Sequence, residues 1–448
     1  MAIIEVKYFN TFLIKKIKDI VTAGTQPTAP YANVPGGYTP VAADDWYIEE
    51  SRIRGGYNNT TVDFGVKAYL DEKNTKQQHR FNTLIYSGIF NSRTGVNDTN
   101  QFSVGQDITR STDPANGQIM KLYAEDTNLI IFQEDKVSRA LIDKDAIYSA
   151  EGNASITSSQ QVIGQIVAYA GEYGISQDPF SFAVYGYRKY FTDKKRGCVL
   201  RLSKDGMTEI SSYGMHDFFR DELANTTKIV GGWDAHTKNY VLSLQGANVG
   251  PLPTDPISYE TYKTLLFDEG VLGWTSFLSF KPDFLVSLQN NFYSFKSGAV
   301  WLHNNGSYGN FYGTTYNSDV TIVLNKEPSL VKNFKTINYE GGDGWQLESM
   351  IASSGDVSVP VGKYTLQTSL SALESDLFVN NFKRKENKFF ANLINISPAT
   401  EGEILWGQSS TGLKGFFSTI KMKFDNSTSP TIKKELFSVS SDIVESSY

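Results

Sequence analysis

Short apolar runs separated by turn residues recur through the middle of the chain. The runs occur in pairs, each joined by a segment rich in Asp, Glu, Lys, Ser or Gly, and the pairs span residues 129–142, 182–202, 229–244, 264–277 and 292–302. Bulky apolar and polar side chains alternate within the runs, as they do along a half-buried strand. The joining residues tolerate a tight backbone and remain solvated. The pattern therefore predicts a series of antiparallel hairpins.

The spacing of these hairpins suits propeller blades. Three of them follow one another within residues 229–302, and a four-stranded blade takes about 40–50 residues. Asp234 and Asp268 would open turns, while Trp233 and Trp274 would pack between blades. About four blades fit the central region, so a small propeller, a partial propeller and a β-sandwich are all compatible. The predicted fold class is mainly β, with antiparallel hairpins forming a β-propeller-like or β-sandwich core and few short helices.

Helical periodicity is rare. Residues 8–22 permit one amphipathic helix, and residues 215–223 permit a second, shorter one. Residues 24–43 contain four prolines and predict an extended connector. Strand-like alternation returns in the last third, where residues 340–344 form a strong Gly-rich turn signal.

The length allows about three domains. The chain has 448 residues, and a typical domain takes roughly 150. The pattern divides it into an N-terminal region with the Pro/Gly-rich connector (1–115), a propeller-like hairpin-repeat β domain (116–330) and a C-terminal β region (331–448).

Composition narrows the class of protein. Hydrophobic residues make up 40% and aromatic residues 13% of the chain, which is a poor fit to disorder. The 42 Lys and Arg against 48 Asp and Glu give a net charge of −6, which disfavours a dominant nucleic-acid footprint. The single cysteine, Cys198, excludes a disulfide framework within the chain and a Cys-based zinc site. No apolar run approaches about 18 residues and no secretion signal is evident, so we expect synthesis and folding in a cytoplasm.

No group of residues forms a catalytic signature. The four histidines, at positions 79, 216, 236 and 303, include no His-x-x-x-His pair. Residues 407–414 approach a phosphate-binding loop, but the lysine stands one position late and no Ser or Thr follows it. Residues 203–208 are similar to an Asp-box turn but lack its second glycine and closing tryptophan.

The other reactive groups have ordinary structural interpretations. Cys198 fits a small strand residue, and adjacent carboxylates such as Glu134 and Asp135 would point to opposite faces of a strand. The sequence therefore predicts no catalytic, cofactor-binding or metal-binding residue, no cofactor and no enzyme activity.

Five longer stretches carry a family resemblance. They lie at residues 46–60, 85–102, 121–132, 272–282 and 412–416. Together they resemble the tail stabilisation or muzzle (nozzle-type) structural proteins of short-tailed bacteriophages, crAss-like phages in particular. The resemblance spans most of the chain from about residue 46 onward.

The resemblance implies a structural protein of the virion tail, made in the host cytoplasm. Such proteins assemble with themselves into rings, commonly six-fold, at the distal end of a short tail, beside other tail proteins. The ring lines or closes the channel through which packaged DNA leaves, without sequence-specific binding. A mildly acidic lining suits this role, because it neutralises few phosphates and lets DNA slide.

Two other functions compete with this hypothesis. One is a virion-borne propeller enzyme that cleaves glycans, for which aromatic and acidic residues are plentiful enough. The other is a non-catalytic module that binds a receptor or glycan, which would need an exposed aromatic patch at a loop tip.

Overall fold

The structure is a computed structural model, and it describes eleven segments of the chain. These are residues 12–16, 46–50, 80–87, 90–97, 109–125, 128–148, 154–246, 261–364, 380–397, 412–427 and 430–446. The chain divides into two compact units, Met1–Ile229 and Val230–Tyr448. The predicted connector at residues 24–43 lies outside the described residues.

The first unit is built from short strands. They are β1 (Phe12–Lys16), β2 (Trp46–Glu50), β3 (Thr83–Ile85), β4 (Phe90–Asn91), β5 (Val96–Asn97), β6 (Thr109–Ser111), β7 (Ile119–Glu125), β8 (Asn128–Gln133), β9 (Val137–Tyr148), β10 (Ala154–Ala168), β11 (Ala183–Tyr185), β12 (Arg188–Asp193), β13 (Cys198–Ser203) and β14 (Gly206–Glu209). Helix α1 (His216–Asn225) and 3-10 turns at Pro114–Asn116 and Pro179–Ser181 complete its described elements.

Two four-stranded antiparallel meanders dominate this unit. β7 to β10 form one and β11 to β14 form the other, each with its strands adjacent in chain order. The remaining strands pair two by two, β1 with β2, β3 with β6 and β4 with β5. The connections include tight turns, as at Gly206, whose φ of 103° lies in the left-handed region that favours glycine.

Aromatic and branched side chains from the two meanders share one core. Its buried members are Ile130, Phe132, Val137, Ile175, Phe191, Cys198, Leu200 and Leu202. The Phe132 ring lies 5.1 Å from the Phe191 ring and 5.2 Å from the Phe182 ring, centroid to centroid, with edge-to-face geometry in both pairs. Such packing adds to the hydrophobic gain from burying the rings. The meanders are therefore held to each other through their apolar faces.

Strand β1 overturns one prediction. Its residues pair antiparallel with β2, with Ile14 opposite Ile48, so the amphipathic helix predicted over residues 8–22 is wrong at these positions. A short apolar run followed by lysines fits a helix face and a strand equally well. Pairing with a distant segment, which periodicity cannot reveal, decides for the strand.

The second unit continues the pattern of short strands. They are β15 (Lys228–Asp234), which begins at the end of the first unit, β16 (Asn239–Gln245), β17 (Tyr262–Asp268), β18 (Gly273–Leu278), β19 (Phe284–Leu288), β20 (Asn291–Lys296), β21 (Ala299–Leu302), β22 (Asn310–Phe311), β23 (Thr314–Thr315), β24 (Ser318–Leu324), β25 (Lys332–Phe334), β26 (Thr336–Gly341), β27 (Trp345–Ala352), β28 (Lys383–Lys385), β29 (Lys388–Asn392), β30 (Leu413–Gly415), β31 (Ser418–Phe424), β32 (Leu436–Ser440) and β33 (Ile443–Glu445).

The connectivity of its sheets changes along the chain. β15 to β18 form another four-stranded meander, β19 to β21 form a three-stranded one, and β22 pairs with β23. The later sheets join strands that are far apart in sequence, in the orders β24-β31-β27, β30-β25-β33 and β28-β29-β26-β32. A long-range pair such as Ser318 opposite Phe424 means that the strands after residue 412 complete the sheets that begin near residue 318.

The C-terminal sheets enclose an aromatic core. Tyr339 on β26 stacks on Phe389 of the neighbouring β29, with ring centroids 4.6 Å apart and planes 7° apart. Phe382 meets the Tyr339 ring edge-on at 4.8 Å. Burial raises the pKa of the Tyr339 hydroxyl well above its ordinary value. The cross-strand ring pair therefore fixes the register of these strands as well as filling the interior.

The mainly β fold with few helices is confirmed. Hairpins β8–β9, β15–β16, β17–β18 and β20–β21 match predicted pairs, and α1 matches the helix predicted over residues 215–223. The predicted pairing of the two runs within residues 182–202 is wrong, because β12 lies between β11 and β13 and pairs with both. The charged Arg188 and Lys189 at the start of β12 hide this strand in the sequence pattern. The propeller-like or sandwich arrangement of the sheets and the three-domain division stay predictions.

We expect the Cys198 thiol to be unreactive in the folded protein. It is buried, and burial, assisted by the nearby Asp193 carboxylate, raises its pKa to about 12. At pH 8 the thiolate fraction is then smaller than that of an exposed thiol by on the order of a thousandfold. Labelling with a thiol reagent should be slow in buffer and complete in denaturant, and fast labelling of the folded protein would contradict the burial.

Candidate functional site

Ser294 and His303 form the arrangement most similar to a nucleophile and its base. Ser294 lies on β20 and His303 directly follows β21, so the hairpin brings them together. Ser294 Oγ is 2.6 Å from His303 Nε2, and the Tyr312 hydroxyl donates to Ser294 Oγ at 2.9 Å. Burial lowers the pKa of His303, although the charge of Asp234 acts in the opposite direction. The ring is therefore held neutral and can accept a proton from the serine hydroxyl.

The surroundings of this pair give it a structural role. Ser294 is 0% exposed, and the ring centroids of Phe280 and Phe292 lie 4.8 Å and 5.1 Å from that of His303. The Asp234 carboxylate is occupied elsewhere, since it accepts from the Asn304 side chain at 2.9 Å and from the His236 backbone amide at 2.9 Å. A substrate cannot reach the hydroxyl without opening the core. The pair satisfies polar groups inside an aromatic cluster.

A second cluster gathers five charged residues in the first unit. Lys195, in the β12–β13 turn, donates to Glu134 Oε2 and Asp135 Oδ2 at 2.9 Å each. Both carboxylates thus face one ammonium group, and the prediction that they point to opposite faces is wrong. They lie in the β8–β9 turn, where the alternation of a strand does not apply. Hydrogen bonding to Lys195 is the main cause that lowers the pKa of Glu134, and the same bond raises the pKa of Lys195.

Asp193 is the buried centre of this cluster. Its carboxylate is 0% exposed and accepts from the Gly174 backbone amide at 3.0 Å, from Ser176 Oγ at 2.9 Å and from Arg196 Nη1 at 2.9 Å. A Cβ on Gly174 would lie 2.0 Å from the carbonyl oxygen of Glu134, so this close approach requires glycine. The cluster ties the turns of the two meanders to residues 174–176 and leaves none of its own carboxylates free for acid–base chemistry.

The motifs noted in the sequence do not assemble into a site. Residues 203–208 form the tight β13–β14 turn, and of residues 407–414 only the last three are described, at the start of β30. In the described part of the chain no three His, Cys, Asp or Glu side chains are placed to hold a metal ion. No helix within the described segments combines the length and apolarity needed to cross a membrane.

The most distinctive surface is the strand at the end of the three-stranded sheet. All four residues of β21 are exposed, with Val300 at 59%, Trp301 at 36% and Leu302 at 41%. The three meanders that precede this sheet each have four strands, whereas β21 ends its sheet as a third strand. We refer to Ala299–Leu302 as the β21 edge.

Backbone groups on the β21 edge lack strand partners among the described residues. The His303 amide donates to the Phe292 carbonyl at 2.9 Å. This bond shows which residues of the β20–β21 pair are directly hydrogen-bonded to each other. Since such pairs alternate, the N–H and C=O groups of Val300 and Leu302 point away from β20. Natural edge strands are usually protected by a charge, a proline or a bulge. This one carries none of these, and an exposed apolar edge of that kind is typical of a protein-binding surface.

These features describe a mainly β chain with a buried Ser294–His303 pair, a charged cluster whose groups are bonded to one another, and a bare apolar strand edge. Residues 306–395 match the family model described as the Crassvirus muzzle protein C-terminal domain. This segment is therefore similar to that domain, and the resemblance of the chain to the muzzle proteins of crAss-like phages is confirmed. The match indicates a structural protein of the phage tail. The matched segment spans β22 to β29, and strands beyond it, β31 among them, complete its sheets.

Comparisons with curated proteins and with solved structures do not extend this assignment. No curated protein matches the chain. Two solved structures of an exo-β-1,3-galactanase from Phanerochaete chrysosporium, one with galactose and one of a variant with β-1,3-galactotriose, are 8% identical to it. Each alignment covers 79% of this chain and 98% of the other, with a TM-score of 0.15. A likeness this weak assigns neither fold nor function.

We expect Asp193→Asn to destabilise the protein by about 3 kcal/mol, because breaking a buried ion pair leaves Arg196 and several amide donors without a full partner. Chemical denaturation monitored by circular dichroism measures the loss. Asp205→Asn, in the exposed β13–β14 turn, is the matched control and should change stability little. Equal effects of the two substitutions would contradict the role of the cluster.

We expect Glu134 to make stability depend on acid pH. Because its folded pKa is lowered, its contribution is present above the ordinary glutamate pKa and is lost as pH falls through the folded value. Glu134→Gln should flatten the decline of the unfolding free energy as the pH falls below about 4.5. Glu327→Gln, at an exposed position, should leave the wild-type decline in place.

Proposed function

We propose that this chain is a subunit of a homo-oligomeric ring, six-fold by the family resemblance, in the tail of a crAss-like phage. The ring would form part of the tail hub or nozzle and would line or close the channel through which DNA leaves the virion. The β21 edge carries this proposal, because it offers unpaired backbone groups and apolar side chains of the kind that a neighbouring protein covers.

Closing a ring places a geometric demand on the subunit. Rotational symmetry other than two-fold requires heterologous contacts, in which one surface patch meets a different patch on the next copy. The β21 edge supplies one such patch, and an extended segment of the adjacent copy or of another tail protein would supply the other. Pairing across the edge would bury Val300 and Leu302 together with their backbone groups.

The proposed mechanism is mechanical and involves no bond chemistry. Its support is that Ser294 is buried beside His303 and that the carboxylates of the charged cluster are bonded to its own cations. DNA would pass without sequence-specific contacts, because a chain with a net charge of −6 neutralises few phosphates overall. We further propose that the successive meanders form a propeller-like core, as their four-stranded order suggests.

We expect Val300→Lys to weaken assembly by about tenfold or more, because a charge on an edge strand opposes pairing with another strand. Analytical ultracentrifugation and negative-stain imaging of purified protein measure the oligomer. The matched control is Ile432→Lys, at a position that is also 59% exposed but lies outside the strands, and it should assemble normally. Wild-type protein that stays monomeric at every concentration, or a Val300→Lys variant that forms normal rings, would contradict the proposal.

A further inference from the structure

An open groove runs along the β28–β29 hairpin in the second unit. One part, of about 580 Å³, is lined by Asn338, Glu340, Lys385, Glu386, Asn387, Lys388, Phe390 and Asp442. The other, of about 520 Å³, is lined by Glu340, Gly341, Gly342, Asp343, Arg384, Asn387, Phe389 and Phe437. The two parts share Glu340 and Asn387 at the turn end of the hairpin, but strand register places them on opposite faces of the sheet. We call the second part, which holds Phe437, the hairpin groove.

Strand register explains why these side chains meet. On β26 and β29 the residues Tyr339 and Phe389 point into the core, so their neighbours Glu340 and Lys388 face outward and lie opposite each other. Lys388 Nζ lies 2.9 Å from Glu340 Oε1. The β28–β29 turn, in which Glu386 adopts a φ of 55°, brings Asn387 to the junction of the two parts.

Phe437 gives the groove an exposed aromatic face. It is 73% exposed on β32, and in the described residues no other ring packs against it. An aromatic ring in water carries a large hydrophobic surface whose negatively polarised face attracts polarised C–H groups. A ring this exposed at the rim of a groove suggests a ligand that presents several C–H groups on one flat face.

The polar groups of the groove suit a neutral ligand. Its lining holds two carboxylates, Glu340 and Asp343, and one cation, Arg384. This excess of carboxylates disfavours an anion such as phosphate, which they would repel. Among the described residues, the Asn387 and Asp343 side chains make no hydrogen bonds. Amide and carboxylate groups together can both donate to and accept from hydroxyls.

We propose that the hairpin groove binds a neutral oligosaccharide. Phe437 would cover one face of a sugar ring, while Asn387, Asp343 and Arg384 would bond its hydroxyls. The volume of each part lies in the range of small-ligand sites, about 300–1,000 Å³. The inference goes beyond the ring proposed above and does not depend on it, because the groove is formed within one chain.

The first test screens the full-length protein on a glycan array that carries neutral and acidic glycans, followed by calorimetric titration with the best neutral oligosaccharide. We expect saturable binding to at least one neutral glycan. Inorganic phosphate in excess should not compete. Absence of binding across the array, or binding to acidic glycans alone, would overturn the proposal.

Two substitutions locate the site. Phe437→Ala and Asn387→Ala should each weaken binding by about tenfold, the loss expected for one ring contact or one pair of hydrogen bonds. Phe277→Ala is the control, because Phe277 is 61% exposed on β18 and outside the groove. Equal weakening by Phe277→Ala would overturn the assignment. Ring assembly, measured separately, should be unchanged by Phe437→Ala, so failure of this proposal is distinguishable from failure of the proposed function.

Discussion

The fold depends on covering one face of many small antiparallel sheets. A sheet that is apolar on one face must bury that face against another element, so each needs a neighbour that packs against its inner face. Phe132 and Phe191 provide this contact between the first two meanders. In the C-terminal sheets, Tyr339 and Phe389 stack within one sheet and belong to a buried core that residues of the other sheets share. The many aromatic residues of the chain thus serve to cover the inner faces of its small sheets.

Buried polar groups follow from the same packing. Where turns of adjacent meanders meet, Asp193 receives amide, hydroxyl and guanidinium donors, and where β20 and β21 meet the aromatic core, Ser294 and His303 satisfy each other. Both clusters contain residue types used in catalysis. The burial of Ser294 and the mutual pairing of the charged cluster make both parts of the scaffold. Geometry that resembles a catalytic pair thus needs solvent access before it indicates chemistry.

The surfaces that the packing leaves uncovered are the ones available for function. The β21 edge lacks a fourth strand in the described chain, although its predecessors have one. Phe437 projects from a groove whose charged groups are two carboxylates and one guanidinium. The first surface is suited to pairing with another strand, and the second is suited to binding a small polar ligand. The proposed ring would use the first surface, and the proposed oligosaccharide the second.

The sequence by itself determined the local order of the chain. Alternation and turn residues are short-range signals, so they located the hairpins around Asp234 and Asp268, helix α1 and the strand character of Cys198. Tertiary structure decided what depends on distant residues. Pairing with Ile48 makes Ile14 part of a strand, and a shared turn directs Glu134 and Asp135 toward Lys195. Pairing of β32 with β26 brings Phe437 to the groove that Asn387 also lines. Such contacts join residues that are far apart in the chain, so they produce no periodic pattern in the sequence.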